Sequence, residues 1–470
     1  MRRFDEKLSM SFSEIEALLF RKLAELFSLS MKELLESLEG KLYEGRDRER
    51  YEVREFKKTK IDTLFGAVEF RRRVYIDVET GERVYGLDEA LGLRKRARMS
   101  PGLREAAVIQ AVEGPSYRGA RDSLKAIYGH QVLSHEAIRR SVLQVGKEVE
   151  DEVKRRRDNP LGDRREEVLF IEADGLWVSR QRSKKKEARL AIAHEGWERR
   201  AGSSEEYGLV NRTHCYVKET GEDFWEEGSR QLWSKYDLTD TVVVINGDRA
   251  GWIRRGVEYF PKAIYQFDRF HLKRELKALL RGVPEAYKAV LRGLDGNRPD
   301  AVLEVLRGVQ LEDPGAIKKL EDLRRDLEGN RDAMVDYRVR LKAMGYETAG
   351  MRGMGAAESN MNRFSRRLKK QGRSWGNEGL AAMIHAMSSR FEGTLGEFAR
   401  RLDEASEQVR KVVEGERLTS GAGRVVRAML SDICNGRKVH MPILNAGRSA
   451  SRGLSRNLRR LNDALPAALS

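Results

Sequence analysis

The sequence predicts a chain of the α/β class joined to all-helical modules. Within residues 166–271, short apolar runs alternate with helical patterns, which is typical of domains whose strands are connected by helices. Two of these runs are soon followed by acidic residues, Asp174 and Asp248, so we expect both strands to end in carboxylates. From residue 272 the strand pattern stops and leucines recur at helical spacing, which predicts a helical block inserted into the α/β domain.

The composition excludes several classes of protein. Of the 470 residues, 40% are hydrophobic and 35% are charged, and no apolar run reaches the roughly 18 residues of a membrane span. The first residues lack the apolar segment of a signal peptide, so we expect a soluble, cytoplasmic protein. Two cysteines, Cys215 and Cys434, lie far apart, which excludes a disulfide framework and a cysteine-based zinc site.

The net charge points to a polyanionic partner. Lysine and arginine total 90 against 74 aspartate and glutamate, which gives a formal charge of +16. Such an excess favours nucleic acid, and hence a nucleoid-associated protein. A highly charged solvated surface, as in many thermophilic proteins, would give the same total.

The pattern divides the chain into seven segments. In order they are an N-terminal helical segment for packing or dimerisation (1–50), a small basic β unit (51–99), a helix-turn-helix-like segment (100–160), the first part of the α/β core (166–271), the helical insertion (272–352), the part that completes the core (353–416) and a basic C-terminal tail (417–470).

The N-terminal segments carry clear local signals. A capping box at Ser13–Glu16 and a second cap at Ser30–Glu33 predict a pair of amphipathic helices. The basic β unit could lie on a phosphate backbone, or its arginines could protect an exposed sheet edge. Ser100 and Ser134 are predicted helix caps, and the second would begin the recognition helix of a helix-turn-helix, although any helical hairpin looks similar.

Three acidic residues are candidates for a catalytic site: Asp174, Asp248 and Glu358. The third follows the glycine-marked stretch Gly353–Gly355 and lies in the first turn of a predicted basic helix, where the helix dipole keeps a carboxylate ionised. The alternative interpretation is structural, because Asp-Gly pairs form turns and Asp caps helices. Three carboxylates brought together repel one another unless cations lie between them, so they would suit two Mg²⁺ ions and phosphoryl transfer.

The motifs around these acids resemble those of ISLre-type bacterial insertion-sequence transposases, relatives of the Mutator-like DDE group. The resemblance covers about residues 55–440 and is carried by Ile171–Trp177, Asn246–Ile253, Tyr265–Leu272 and Ala357–Glu358 with the downstream Ser374–Trp375. It implies an RNase H-like core with a helical insertion, and metal-dependent DNA strand cleavage and strand transfer at the ends of an insertion sequence. It also implies two Mg²⁺ or Mn²⁺ ions held by the three acids.

The resemblance implies further partners and residues. The partners would be the terminal inverted repeats of the element and target DNA, bound by a homodimer or higher oligomer. Asp268 and His271 match an Asp-x-x-His motif of the wider group, and we expect them to position the substrate or the metal ligands. Arg249 departs from the small residue expected after the second acid, so it would touch DNA or crowd the metal.

Several basic and aromatic residues are predicted to contact DNA. They are Arg139 and Arg140, the hairpin lysines Lys184, Lys185 and Lys186, and Arg249, Arg363, Arg366, Arg367 and Trp375. Trp252 and Trp375 flank the expected site and could stack on an unpaired base, although most tryptophans are core residues.

Two other functions remain open at this stage. One is a non-catalytic DNA-binding protein derived from a transposase, and the other is a structure-specific nuclease on an RNase H-like core. The intact set of three acids argues against the first, and the basic N-terminal half and the large insertion argue against the second.

Overall fold

The computed structural model shows a mixed α/β protein with helices and mixed sheets. It describes residues 11–93, 98–159, 162–182, 184–199, 206–218, 223–369 and 372–401, so the predicted basic tail lies outside the described residues. These residues group into two compact units. The first holds the described parts of 11–110, 117–138 and 396–401, and the second holds those of 111–116 and 139–395.

The first unit packs one long helix on a small sheet. Helix α1 spans Phe12–Glu44, strands β1 (Tyr51–Thr63), β2 (Gly66–Asp77) and β3 (Arg83–Val84) form an antiparallel sheet, and α2 spans Gly86–Ala90. Its core consists of Leu35, Leu38, Ile61, Val68, Phe70 and Leu87. The alternation in β2 places Val68 and Phe70 on one face of the sheet, where they bury against α1.

The predicted pair of N-terminal helices is wrong. Helix α1 is continuous through Ser30, because no glycine or proline between Phe12 and Glu44 interrupts it except Gly40 near its end. The capping box is also two residues earlier than predicted. Ser11 is the N-cap, and its hydroxyl accepts a hydrogen bond from the backbone of Glu14, whose side chain bonds back to Ser11.

Three further helices follow, and their caps agree with the sequence. They are α3 (Pro101–Glu113), α4 (Tyr117–Tyr128) and α5 (His135–Arg157). The Ser100 hydroxyl accepts from the backbone N–H of Leu103 at 3.3 Å, and the Ser134 hydroxyl accepts from that of Ala137 at 3.1 Å. Both serines therefore satisfy donors that the first turn leaves unpaired. The helix-turn-helix itself stays a prediction.

The second unit is built around a five-stranded sheet. Its strands are β4 (Val168–Val178), β5 (Lys186–His194), β8 (Thr213–Tyr216), β9 (Val242–Gly247) and β10 (Lys262–Phe267), and a separate hairpin holds β6 (Trp197–Arg199) and β7 (Tyr207–Leu209). The order is β10-β9-β4-β5-β8. Strands β4, β5 and β8 are antiparallel neighbours, whereas β9 and β10 run parallel to β4.

The sequence wrongly predicted a turn at Asp174-Gly175. Strand β4 runs through both residues, because β5 pairs with it from Phe170 to Val178. Gly175 instead leaves space for a side chain of the neighbouring strand β5. A Cβ at this position would lie 2.0 Å from the Oε1 atom of Glu187, so any larger residue would displace the end of that side chain.

The helical block predicted after residue 272 is confirmed. The helices of this unit are α6 (Asp223–Trp233), α7 (Gly251–Arg254), α8 (Arg269–Leu279), α9 (Pro284–Asp295), α10 (Pro299–Gly308), α11 (Pro314–Gly329), α12 (Tyr337–Ala343), α13 (Ala356–Leu368), α14 (Asn377–Glu392) and α15 (Leu395–Arg401), the last of which begins at the unit boundary. Pro284, Pro299 and Pro314 each begin a helix, where the missing N–H costs no hydrogen bond. None of the helices within the described residues is long and apolar enough to cross a membrane.

One predicted helix is broken. The sequence predicted a single helix over residues 380–416, but α14 ends at Glu392 and α15 begins at Leu395. Gly393 between them has φ 84°, a left-handed conformation that glycine adopts without strain and that ends a helix. Residues 402–416 lie outside the described part of the chain.

The central sheet is covered on both faces. Leu169, Ile171 and Ala173 of β4 belong to the larger core, which also includes side chains from α6 to α11. Val168 and Phe170 point to the other face and pack with Tyr337, Leu341 and Met354. By the period of a strand, Asp174 belongs to this second face.

We predict that Gly146→Ala destabilises the second unit. Helices α5 and α14 approach so closely that a Cβ at Gly146 would lie 2.2 Å from the Ala382 carbonyl oxygen, so the helices must move apart. The expected loss in the free energy of unfolding is about 1–3 kcal/mol, measured by urea denaturation. The control is Gly308→Ala in α10, where a Cβ meets nothing within 4 Å, so its stability should be unchanged or slightly raised. Equal effects of the two changes would contradict the close packing.

Candidate active site

Three aspartates lie side by side at one edge of the central sheet. Ala173 of β4 pairs with Gly247 of β9, which pairs with Phe267 of β10. The next residue on each chain segment is Asp174, Asp248 or Asp268. Because these strands are parallel and in register, the three aspartates lie side by side where β9 and β10 end, while β4 continues past Asp174 to Val178; adjacent strands are roughly 4.8 Å apart. The register therefore brings together two acids predicted as catalytic, and adds the third aspartate beside them.

The backbone around Asp248 is fixed by its neighbours. The Oδ1 atom of Asp248 accepts a hydrogen bond from the backbone N–H of Ala250 at 2.9 Å, and the Tyr265 hydroxyl donates to the Asp248 carbonyl at 2.6 Å. Burial raises the pKa of Tyr265, so its hydroxyl keeps the proton that it donates. Gly247 is needed before the acid, because a Cβ there would lie 2.7 Å from Ile253 and 2.9 Å from the Ala173 carbonyl oxygen.

Asp268 is occupied by hydrogen bonds from the protein. Its Oδ1 atom accepts from the backbone N–H of His271 at 2.8 Å and from Nδ1 of the same residue at 3.0 Å, while Oδ2 accepts from the Asn246 amide at 3.0 Å. Burial alone would raise the pKa of Asp268, but the bonds from His271 and Asn246 outweigh it and lower the pKa below its ordinary value. Asp268 is thus an ionised N-cap of α8.

His271 is held by the same contact. Its hydrogen bond to Asp268 raises its pKa, burial opposes this, and the charges of Asp268 and Asp174 raise it further. The pKa of the His271 imidazole is therefore raised by the charge of Asp174 as well as by that of its hydrogen-bond partner Asp268. His271 also lines an open cavity of about 610 Å³ together with Asp248 and Asp268.

A chain of hydrogen-bonded, buried side-chain amides holds Asp268 in place. The backbone N–H of Tyr337 donates to Oε1 of Gln266 at 2.5 Å, and Nε2 of Gln266 donates to Oδ1 of Asn246 at 3.4 Å. The Asn246 amide in turn donates to Asp268. Since Gln266 accepts from a backbone N–H, the direction of every later bond is fixed, and Asp268 must be the acceptor. The start of α12, in the helical insertion, is thereby linked to the acidic edge.

Sequence reasoning missed this chain. Asn246 has no exposed surface and Gln266 is 3% exposed, yet each sits in an otherwise apolar strand. Glu172, also fully buried, aligns with Asn246 and lies 3.5 Å from His194 Nε2. Polar residues that interrupt β-branched runs are the signal that could have identified them, because a buried amide or carboxylate needs specific partners.

Arg249 is engaged within the protein. Its guanidinium donates to Glu275 at 2.7 Å and 3.1 Å and to Asp326 at 3.1 Å. Asp326 also bonds to Arg254. These ion pairs line the cavity and connect the loop after β9 to α8 and α11 of the insertion. The predicted contact of Arg249 with DNA stays a prediction.

Glu358 is the third residue of α13 and so lies in its first turn, as the sequence predicts. Its side chain is outside the described residues. Helix α13 packs against β4, the strand that carries Asp174. Among the side chains that the structure describes, no group of three or more His, Cys, Asp or Glu residues is arranged to hold a metal ion.

Two residues predicted to contact DNA lie in the interior instead. Arg367 is 4% exposed, donates to the Ala111 carbonyl at 2.7 Å and stacks on the Trp375 ring. Trp375 is 7% exposed and donates its indole N–H to the Leu368 carbonyl at 2.9 Å. Trp252, the other suggested base-stacking residue, is equally buried. Packing explains all three, so a direct contact with DNA is not supported for them.

The remaining predicted contacts lie at the surface to different degrees. Arg140, Lys184, Lys185, Lys186, Arg363 and Arg366 are exposed, and Arg139 is half-buried. The Arg363 guanidinium itself lies over the Phe391 ring, 3.6 Å from its centre, so a cation-π contact holds the charged group at the surface.

We predict that the midpoint of the His271 titration lies above the ordinary histidine value of about 6.5, because Asp268 stabilises the imidazolium. The contribution of this charge to stability is therefore full below the ordinary pKa and is lost as the pH rises through the raised one. An NMR titration of the His271 ring measures the midpoint. Asp268→Asn should lower it, because the change removes the partner's charge. An unchanged midpoint in that variant would show that the pair does not control the histidine.

Comparison with known proteins identifies relatives over most of the chain. The sequence profile of the uncharacterised protein family UPF0236 matches residues 5–404. The UPF0236 protein in the vanSb 3′ region of Streptococcus gallolyticus is 26% identical over 397 residues, which cover 82% of this chain and 84% of that protein. A UPF0236 protein of Caldanaerobacter subterraneus subsp. tengcongensis is 25% identical over 383 residues, covering 80% and 77%, and its name joins eleven gene designations.

A solved structure also aligns, at a low score. A chain of the Drosophila P element transposase strand transfer complex has 8% sequence identity and a TM-score of 0.21, with 68% of this chain and 87% of that chain covered. That score carries no argument about fold or function. The family profile, in contrast, spans the described part of both units, and the chain therefore belongs to the uncharacterised protein family UPF0236.

Proposed function

We propose that this protein is a DDE transposase of the ISLre type that cleaves DNA at the ends of an insertion sequence and joins the free 3′-hydroxyl to target DNA. The observation that carries the proposal is the position of Asp174 and Asp248, one residue beyond the paired residues Ala173 and Gly247 of two parallel strands. Carboxylates at the shared edge of a sheet are held rigidly, as phosphoryl transfer requires.

The donor set fits a pair of divalent cations. Both oxygens of Asp268 already accept hydrogen bonds from the protein, which ties this carboxylate to His271 and Asn246 and favours Asp174, Asp248 and Glu358 as the ligands. All-carboxylate ligands suit Mg²⁺ or Mn²⁺. When bound, the ions would activate the attacking hydroxyl and neutralise charge at the transferring phosphate.

The remaining residues of the site orient these ligands. Asp268 keeps α8 capped and holds His271 beside Asp174 and Asp248, while the chain through Asn246 and Gln266 fixes Asp268. His271, with its raised pKa, is suited to donate a proton or a hydrogen bond to a phosphate oxygen near the acids. We therefore assign Asp268 and His271 a positioning role.

The sheet and the relatives support the same assignment. Three antiparallel strands followed by two parallel ones, with a helical insertion between the second and third acids, support an RNase H-like core. The relative whose name joins eleven gene designations in one organism supports a gene that is copied within a genome, as expected of a mobile element.

DNA is the proposed partner. The formal charge of +16 and the exposed Arg140, Lys184, Lys185, Lys186, Arg363 and Arg366 would attract phosphates in a salt-dependent way. The terminal inverted repeats of the element and the target are the proposed substrates, bound by a homodimer or larger oligomer.

We predict that Asp174→Ala and Asp248→Ala each reduce strand cleavage about a thousandfold, which corresponds to about 4 kcal/mol of transition-state stabilisation. Full-length protein is incubated with the DNA that flanks its gene and with Mg²⁺ or Ca²⁺, and nicks and joined products are mapped. The matched control is Asp240→Ala, an exposed acid at the opposite end of β9, which should keep full activity.

The products separate the alternatives. Cleavage without joining would identify a nuclease, and DNA binding without cleavage by the unchanged protein would identify a non-catalytic binding protein. Cleavage at the normal rate by either aspartate variant would refute the proposed site.

We predict that Glu358→Gln abolishes cleavage, whereas Asp268→Asn slows it less. The first change removes the charge of a proposed ligand but keeps its volume. The second keeps one oxygen that can accept from His271 but sets an amide donor against the Asn246 amide, so part of the positioning survives. The same nicking assay compares the two. The opposite order would transfer the third ligand position to Asp268.

A further inference from the structure

One hairpin extends beyond the sheet at the edge that carries the acids. The last pair between β4 and β9 is Ala173 with Gly247, but β4 and β5 stay paired as far as Val178 and Lys186. We call residues 175–178 and 184–189 the outer hairpin. It begins directly after Asp174, so the hairpin continues the strand that carries the first proposed catalytic acid.

The two faces of the outer hairpin differ. Leu176 and Val178 are buried, at 3% and 0% exposure, whereas Trp177 between them is 57% exposed. The other face of β4 is covered as far as Ala173 by the larger core, and this cover stops where β9 ends. All six tryptophans lie in the described part of the chain, and Trp177 is the one with most of its surface in solvent.

The return of the outer hairpin is basic. Lys184, Lys185 and Lys186 are exposed where the hairpin returns. Lys186 pairs with Val178, so it projects from the face opposite Trp177, whose own cross-strand partner is Glu187. Glu187 lies 3.3 Å from the Arg189 guanidinium, so its charge is balanced within the hairpin. The hairpin thus carries an exposed aromatic side chain and three lysines, the two kinds of group that bind single-stranded nucleic acid.

The outer hairpin is also rigidly attached. The backbone N–H of Trp375 donates to the Ser179 carbonyl at 3.0 Å, and that of Gln181 donates to the Trp375 carbonyl at 2.9 Å. The buried Trp375 indole in turn bonds to Leu368, the last residue of α13. One end of the hairpin is therefore fixed to the helix that carries Glu358.

From these observations we propose that the outer hairpin binds unpaired nucleotides of a DNA strand, with Trp177 stacked on a base and the three lysines near the phosphates. The proposal deepens the proposed function, because unpaired bases arise where a strand is cut and joined. Trp177 is three residues beyond Asp174, roughly 10 Å along the strand, and projects from the opposite face of β4, so it would hold bases of a strand that passes around the hairpin away from the scissile phosphate. Stacking tolerates any base, so this contact would bind without reading sequence.

Because Trp177 is mostly exposed, its substitution should change DNA binding without changing the folding of the protein. Truncating a side chain that is mostly in solvent changes stability little, so the variant should fold like the unchanged protein. Trp177→Ala removes the stacking surface, and Trp177→Phe keeps an aromatic face. Phe12→Ala is the matched control, because Phe12 of α1 is 80% exposed, has the acidic Glu14 in the same turn and lies in the other unit.

Binding is measured by fluorescence anisotropy with full-length protein, labelled oligothymidine and a duplex of equal length, in EDTA so that no chemistry occurs. Base stacking typically contributes about 1–3 kcal/mol, so Trp177→Ala should weaken binding to the single strand about tenfold or more. Its affinity for the duplex should change less than about twofold. Trp177→Phe should recover most of the loss, and Phe12→Ala should show none. Replacing the three lysines should weaken binding to both DNA forms and reduce the salt dependence.

The outcomes are decisive and independent of cleavage. An equal loss on single strand and duplex, no loss on either, or no binding of single strands by the unchanged protein would overturn the proposal. If single-strand binding depends on Trp177 but the protein never cleaves DNA, the hairpin assignment stands and the transposase assignment falls. If cleavage depends on Asp174 while Trp177→Ala binds normally, the reverse holds.

Discussion

The parallel register of three strands is the constraint on which the site depends. Ala173, Gly247 and Phe267 are aligned by backbone hydrogen bonds, and each precedes an aspartate. No side-chain contact is needed to bring the acids together, because the ladder does so. The cost is electrostatic repulsion, which the protein offsets at Asp268 with donors from His271 and Asn246. Asp174 and Asp248 are two of the acids that would hold a cation in the proposed reaction.

The buried polar chain gives the helical insertion a direct link to this edge. Tyr337 begins α12, and its backbone N–H fixes Gln266, which fixes Asn246 and then Asp268. In the lining of the cavity, Asp326 of α11 and Glu275 of α8 form ion pairs with Arg249, which is the residue that follows Asp248. These contacts link helices of the block after residue 272 to Asp268 and to Arg249, the residue that follows Asp248. Buried networks of this kind are costly when half satisfied, so they specify one arrangement.

Tryptophan exposure separates structural from functional candidates. Trp252 and Trp375 lie near the acids in sequence and were reasonable candidates for stacking on a base, but both are buried and bonded within the unit. Trp177 lies within a predicted strand, and its indole is the one that is mostly exposed to solvent. Each strand residue has two possible faces, and which face is covered depends on where the neighbouring strand ends.

Local sequence patterns predict where helices begin and which acidic residues follow the apolar strands. The caps at Ser100 and Ser134, the helical block after residue 272 and the apolar runs before Asp174 and Asp248 follow from periodicity and capping, which are properties of neighbouring residues. Tertiary structure alone decided that β4 continues through Gly175, that Asp268 is bonded on both oxygens and that Arg367 and Trp375 are interior. These depend on side chains distant in sequence, and a local pattern reports that a residue is buried but not which partner buries it.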